Sequence, residues 1–295
     1  MNSRSIIAVG VDSSWALAGA VDWALQESRF SSQPIRAIHV VDTKPSSGPH
    51  FATVDVDQAA QRLVAEVDDY LGAHGGQLRH TAHVAAGPPA QTLARAADGL
   101  RMLVVGRHGH GHRHQHGLLG RLLIGSTAEA VAHEAKAPVV VVPTPWTPGT
   151  TDAPIAIGVD ESEQCEAAIE FGIGLAVERW VPVRLVHVWD VGGIYSWDVG
   201  PSAGTVTEWQ EHHAAQLEHT AQLWREKYPD TTIQTETRRG HPVYALADAV
   251  TDSAAQLLVL GGRNHSRLVS ILLGSTARGV LHHATCPIAI VHEPR

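Results

Sequence analysis

Gly106, Gly109 and the run Gly125-Ser126-Thr127 are the residues whose types and spacing suggest chemistry most clearly. The apolar run Met102-Leu103-Val104-Val105 ends in Gly106, and Gly109 follows after two residues, so a buried strand can turn sharply at its end. Gly125-Ser126-Thr127 then opens an Ala-rich helical stretch. The free N–H groups of that first turn, the positive end of the helix dipole and two hydroxyls would converge on one spot, which suits a phosphate. The series occurs twice. Leu257-Leu258-Val259-Leu260-Gly261 leads through Asn264 to Gly274-Ser275-Thr276, and the two copies close on the apolar runs Val139 to Val142 and Ile288 to Val291.

Other phosphate loops do not match. Without Gly-Lys-Ser/Thr there is no Walker A loop and no lysine to bridge β- and γ-phosphates. The dinucleotide fingerprint is missing too, because the glycine turn follows the fourth strand and not the first. What remains is a cradle of backbone donors, with Ser126, Thr127, Ser275 and Thr276 adding hydroxyls. Ser126-Thr127-Ala128-Glu129 also fits a capping box, which would satisfy the helix donors without any ligand. The second copy favours a ligand: Arg278 replaces the capping acid, with Arg263 and Arg267 in the same loop. Arg107, Arg113 and Arg121 form a similar basic rim in the first copy.

The elements that position these residues follow from periodicity. Ile6 to Val11 is a strand ending in Gly10-Val11-Asp12, and a helix is expected from about Trp15 to Arg29. Asp12 sits at the carboxyl end of that strand, where ligands bind in open α/β sheets. Its carboxylate can accept hydrogen bonds from a ribose or base, or act as a helix N-cap. Ile35 to Val41 is a second strand, Asp55 to Gly72 a helix, Leu78 to Ala85 a third strand, and Gly87-Pro88-Pro89 leads into a helix through Ala97. Strands alternating with helices at this spacing imply parallel pairing, hence a doubly wound α/β sheet of five strands with helices on both faces. Everything then repeats: Gly158-Val159-Asp160 matches Gly10-Val11-Asp12, and His187-Val188 matches His39-Val40. The expected organisation is one domain over residues 1–146, a linker over 147–153 within the Pro- and Thr-rich stretch Pro143 to Pro154, and a second domain over 154–295. The apolar last strands would be aggregation-prone if uncovered, so they should pair the halves with each other or with another chain.

Composition narrows the function. A chain of 295 residues, 44% hydrophobic, can bury two ordinary cores, and its net charge of −8 argues against nucleic acid as the main partner. Met1 to Ser5 lack a signal-peptide pattern, and no apolar run approaches the roughly 20 residues of a membrane helix, so a cytoplasmic protein with no membrane partner is expected. Cys165 and Cys286 read as buried small apolar residues. Trp189, Tyr195, Trp197 and Trp209 distinguish the second half; they could cap a base, although a hydrophobic cover or a contact with the other domain fits them better. His108, His110, His112, His114 and His116 alternate through the segment that lengthens the first loop. They read as a solvated loop, as adventitious metal ligands or as a pH-sensitive rim on the phosphate site.

Nearly the whole chain resembles a tandem universal stress protein. Nucleotide-binding members of that family carry Gly-x2-Gly-x9-Gly-Ser/Thr after the fourth strand and an Asp after the first. Gly106, Gly109, Gly125, Ser126 and Asp12 match by type, with fifteen residues between Gly109 and Gly125; in the second half the nine-residue spacing holds, with Asn264 in place of the second glycine. The resemblance implies two adenine nucleotide alpha hydrolase-like domains. It places Gly10 and Gly158 under a nucleotide, Asp12 and Asp160 near ribose or base, and Val40 and Val188 along the adenine. It implies ATP as the bound nucleotide, with magnesium as an optional companion, and pairing through the last strand, within one chain or in a homodimer. The expected function is a non-enzymatic, ATP-binding stress regulator; a slow ATPase and a nucleotide-free interaction module are the alternatives.

Overall fold

The structure, a computed structural model, describes residues 5–43, 53–107, 124–149, 152–160, 165–190, 203–262 and 273–293. The chain divides into two compact units, with the change-over at Pro148 and Gly149. The first unit runs β1 (Ile7–Val11), α1 (Trp15–Ala18), α2 (Ala20–Ser31), β2 (Ile35–Val41), α3 (Thr53–Gly75), β3 (His80–Ala86), α4 (Pro89–Ala96), β4 (Met102–Gly106), α5 (Ser126–Glu134) and β5 (Val139–Val142). The second runs β6 (Ile155–Val159), α6 (Cys165–Arg179), β7 (Val183–Trp189), α7 (Ala203–Lys227), β8 (Ile233–Arg239), α8 (Pro242–Asp252), β9 (Leu257–Gly261), α9 (Ser275–His283) and β10 (Ile288–Val291).

In the first unit the strands lie in the order β3-β2-β1-β4-β5, and in the second the same order reads β8-β7-β6-β9-β10. All these pairs are parallel, and their registers correspond: Ile7 stands beside Ile35 in one unit and Ile155 beside Val183 in the other. Parallel strands covered on both faces need no alternation, which is why β4, β5, β9 and β10 are nearly unbroken apolar runs. Leu103, Val104, Val139 and Val140 are fully buried, as are Leu257, Leu258, Ile288 and Ile290. In the first unit α2 packs beside α3, and α4 beside α5, giving the two helical layers. Among the described residues no helix is long and apolar enough to cross a membrane.

The expected single helix from Trp15 to Arg29 is two helices. Gly19, at φ 68°, ends α1 and starts α2, and a side chain on it would come within 2.9 Å of the Trp146 Cβ. Left-handed backbone and lack of space together demand glycine there. Gly87 and Gly240, at φ 138° and 143°, end β3 and β8 in the same turn, each donating its N–H to the neighbouring strand, at Val41 O and Trp189 O. These turns aim the starts of α4 and α8 at the carboxyl edge of the sheet.

Candidate functional site

Each unit has a cavity at the carboxyl ends of its first, second and fourth strands, where an open α/β sheet binds ligands. The first, of about 310 Å³, brings together Gly10, Asp12, Val40, Gly106, Gly125, Ser126 and Thr127, seven of the residues singled out from the sequence. The second, of about 190 Å³, collects Gly158, Asp160, Val188, Gly261, Gly274 and Thr276. Ser275 is exposed at the head of α9 and does not line it. Gly109, Arg121 and Asn264 lie outside the described residues, as do Arg113, Arg263, Arg267, Tyr195, Trp197 and the alternating histidines 108–116.

At the head of α5 the capping box is not made. Gly125 is the N-cap of α5, which puts Ser126 one position too far along the helix to cap it, and no side chain caps this end. The first intrahelical bond runs from Glu129 N–H to Gly125 O, so the N–H groups of Ser126, Thr127 and Ala128 have no acceptor within the helix. The head of α9 is built alike, with Gly274 as an N-cap without a side-chain cap and Arg278 N–H bonded to Gly274 O. Gly125 and Gly274 have φ of −67° and −61°, which any residue adopts. Backbone strain therefore does not require glycine at either place.

Backbone bonds hold the first cradle against the sheet. Arg107 N–H donates to Val142 O at 2.7 Å, and Gly125 N–H donates to Arg107 O at 2.7 Å. The Arg107 side chain is buried and lines the cavity, so it is part of the wall and not of an outer rim. Its counterpart after β9 is Gly262, whose N–H makes the same bond to Val291 O. A side chain there would overlap the buried ring of His292.

Asp12 is not a helix N-cap. Its Oδ1 accepts from Ser14 N–H at 2.8 Å and Ser14 Oγ at 2.5 Å, a turn that holds the carboxylate at the end of β1. Asp160 is held differently: the Cys165 thiol donates to its Oδ1 at 2.9 Å, and Asp160 N–H donates to the sulfur at 3.1 Å. Cys165 is thus buried as expected, but it is a polar partner in the second cavity and not a space-filling apolar residue.

Sequence reasoning missed several lining residues. Pro89 and Leu93 from α4, and Pro242 and Leu246 from α8, wall the cavities. Gly10 and Gly158 form the floors; a side chain on Gly10 would meet Leu93 and Val105 at 3.1 and 3.2 Å, and one on Gly158 would meet Leu260 at 2.5 Å. Trp189, considered as a base cap or interdomain contact, is buried within the second unit and stacks on His213 at 5.3 Å.

The sequence model of the universal stress protein family matches residues 4–143 and again residues 153–292. The chain belongs to that family. A universal stress protein of Mycobacterium tuberculosis is 26% identical over 319 residues, covering 98% of this chain and 95% of its own; another from the same organism is 25% identical over 298 residues, covering 97% of each. Among solved structures, a universal stress protein from Archaeoglobus fulgidus superposes with a TM-score of 0.73 at 17% identity over 98% of both chains, a likeness of fold. As in those full-length relatives, the family domain occurs here as a tandem pair.

Proposed function

We propose that this universal stress protein is an ATP-binding regulator of the stress response, with its principal site in the first half. The head of α5 carries the proposal. Three N–H groups without helical acceptors face a cavity whose N-cap glycine has ordinary backbone angles, with Asp12 across the sheet edge to receive ribose or base. Volume supports the assignment to the first half, since small-molecule pockets run from about 300 Å³ upward and the second cavity, at about 190 Å³, falls below that range.

The activity we propose is binding and not catalysis. The described lining of the first cavity holds one carboxylate, Asp12, and no lysine, where phosphoryl transfer would use a lysine on the phosphates and paired carboxylates on a metal. Magnesium would enter with the phosphates, with Asp12 as the available carboxylate. Denaturing the purified protein and analysing the supernatant should release adenine nucleotide, and calorimetry on stripped protein should recover ATP binding. An empty supernatant together with no ATP binding would leave the nucleotide-free module standing, and steady phosphate release would favour a slow ATPase.

We also infer that β5 and β10, each at the end of its unit's strand order, are covered by pairing with one another or with a second chain, in the cytoplasm. Hydrogen exchange should protect the amides of Val139–Val142 and Ile288–Val291, with sedimentation giving the number of chains. Rapid exchange along either strand would overturn it.

A further inference from the structure

Beside the first cavity lies another, of about 470 Å³, lined by Ser13, Trp15, His39 and six residues of α3, among them Val56, Ala59, Ala60 and Leu63. Trp15 and His39 line both cavities, so the two adjoin. The annex lies away from the phosphate end, because His39 is on β2, two strands and about 10 Å from β4. Its walls are apolar and aromatic, with Arg62 and Glu66 as charged members of the lining. Trp15 is braced by Tyr70, ring edge to face at 5.1 Å and 64°.

The second half fills the same place. His187 is the counterpart of His39: each ring Nδ1 bonds the carbonyl of the last residue of the unit's first strand, Val11 or Val159. The Nε2 of His187 lies 3.2 Å from Nδ1 of His213 on α7, and Trp189 stacks on that second ring. In the first half the α3 residues that share the cavity with His39 include Ala59, Ala60 and Leu63. These small and aliphatic side chains leave the annex open, whereas the paired imidazoles occupy the space beside His187.

We propose that the annex is a subsite for a planar aromatic group carried on the base side of a nucleotide, so that the first half accepts base-extended nucleotides and the second half rejects them. This rests on the nucleotide reading above. Two ligands present that chemistry, an adenine bearing an aryl substituent and a dinucleotide whose second base folds over, and both belong in the test.

The experiment uses the full chain with Gly274→Val, so that only the first site reports, and titrates ATP, N6-benzyl-ATP and diadenosine tetraphosphate by calorimetry. At least one extended ligand should bind on the order of tenfold more tightly than ATP through stacking and apolar burial. Ala59 is exposed, so Ala59→Trp should fold, keep ATP affinity and abolish the gain. In the reciprocal Gly125→Val chain the second site should reject both extended ligands, and His213→Ala should admit them. ATP binding without any gain for either extended ligand, or a gain that survives Ala59→Trp, overturns the annex alone. Failure of ATP itself to bind the first site overturns the nucleotide reading and the annex with it.

Discussion

The two halves share a strand order, a glycine floor under the cavity, an uncapped helix head and matching wall residues, Asp12 with Asp160, Val40 with Val188, Pro89 with Pro242 and Leu93 with Leu246, yet they differ at a few positions. Arg107 in the first becomes Gly262 in the second, Val105 becomes Leu260, and the Ser14 hydroxyl that holds Asp12 gives way to the Cys165 thiol on Asp160. The second cavity is smaller and lacks the buried cation among its described lining. What persists is the backbone geometry and most of the wall around it; what changed are a few side chains beside the strand ends. Duplication here preserved the helix head and most of the cavity wall and let a few positions diverge.

The largest expected effect breaks the part that the halves share. Gly125→Val should lower nucleotide affinity of the first site by about 100-fold or more, roughly 2.7 kcal/mol, because a branched side chain at the N-cap displaces phosphate from several charge-assisted bonds. Gly274→Val should do the same only to the second site. The backbone angles tolerate valine, so melting temperatures should stay near the parent's, and undiminished affinity in a folded variant would count against the cradle.

Next come changes aimed at the differences. Arg107→Met should weaken the first site by about tenfold and flatten its salt dependence, since a buried cation facing an anion is lost. Equal affinity and equal salt slope would show that Arg107 only packs. Val105→Leu adds one methylene above the floor at Gly10, and pockets discriminate such a group by about 1–3 kcal/mol, so the first site should fall toward the second. Competition against a fluorescent nucleotide would read this, and an unchanged constant would remove pocket width as the cause of asymmetry.

The smallest effect concerns stability. Tyr70 Oη donates to Asp22 Oδ1 at 2.6 Å, and that hydrogen bond first, with burial and the Asp22 charge behind it, pushes the phenol up to about 12 against a partial opposing effect of Arg29. A pKa raised in the folded state stabilises fully below the unfolded value of about 10 and loses that contribution as pH climbs toward about 12. Tyr70→Phe should cost about 1 kcal/mol at neutral pH and make stability less steep between pH 10 and 12. Parallel pH profiles for parent and variant in denaturant titrations would refute the assignment.

The doubly wound fold was legible because a parallel sheet buried on both faces writes itself as apolar runs separated by amphipathic helices; Val139 to Val142 and Leu257 to Leu260 admit little else. The glycine-led helix heads were legible as well, since Gly125-Ser126-Thr127 follows a strand, opens a helix and recurs at Gly274. Gly19 was missed because glycine inside a helical pattern is a weak signal, and the lack of room for a side chain there is set by Trp146, far along the chain. The pairing of Cys165 with Asp160, the walls from Leu93 and Leu246, and His213 resting on His187 were hidden for the same reason. Local sequence determines which backbone groups can point at a ligand, because turns and helix ends depend on neighbouring residues. Which side chains close the space around that ligand is decided by packing between distant elements, and only the tertiary structure brings those together.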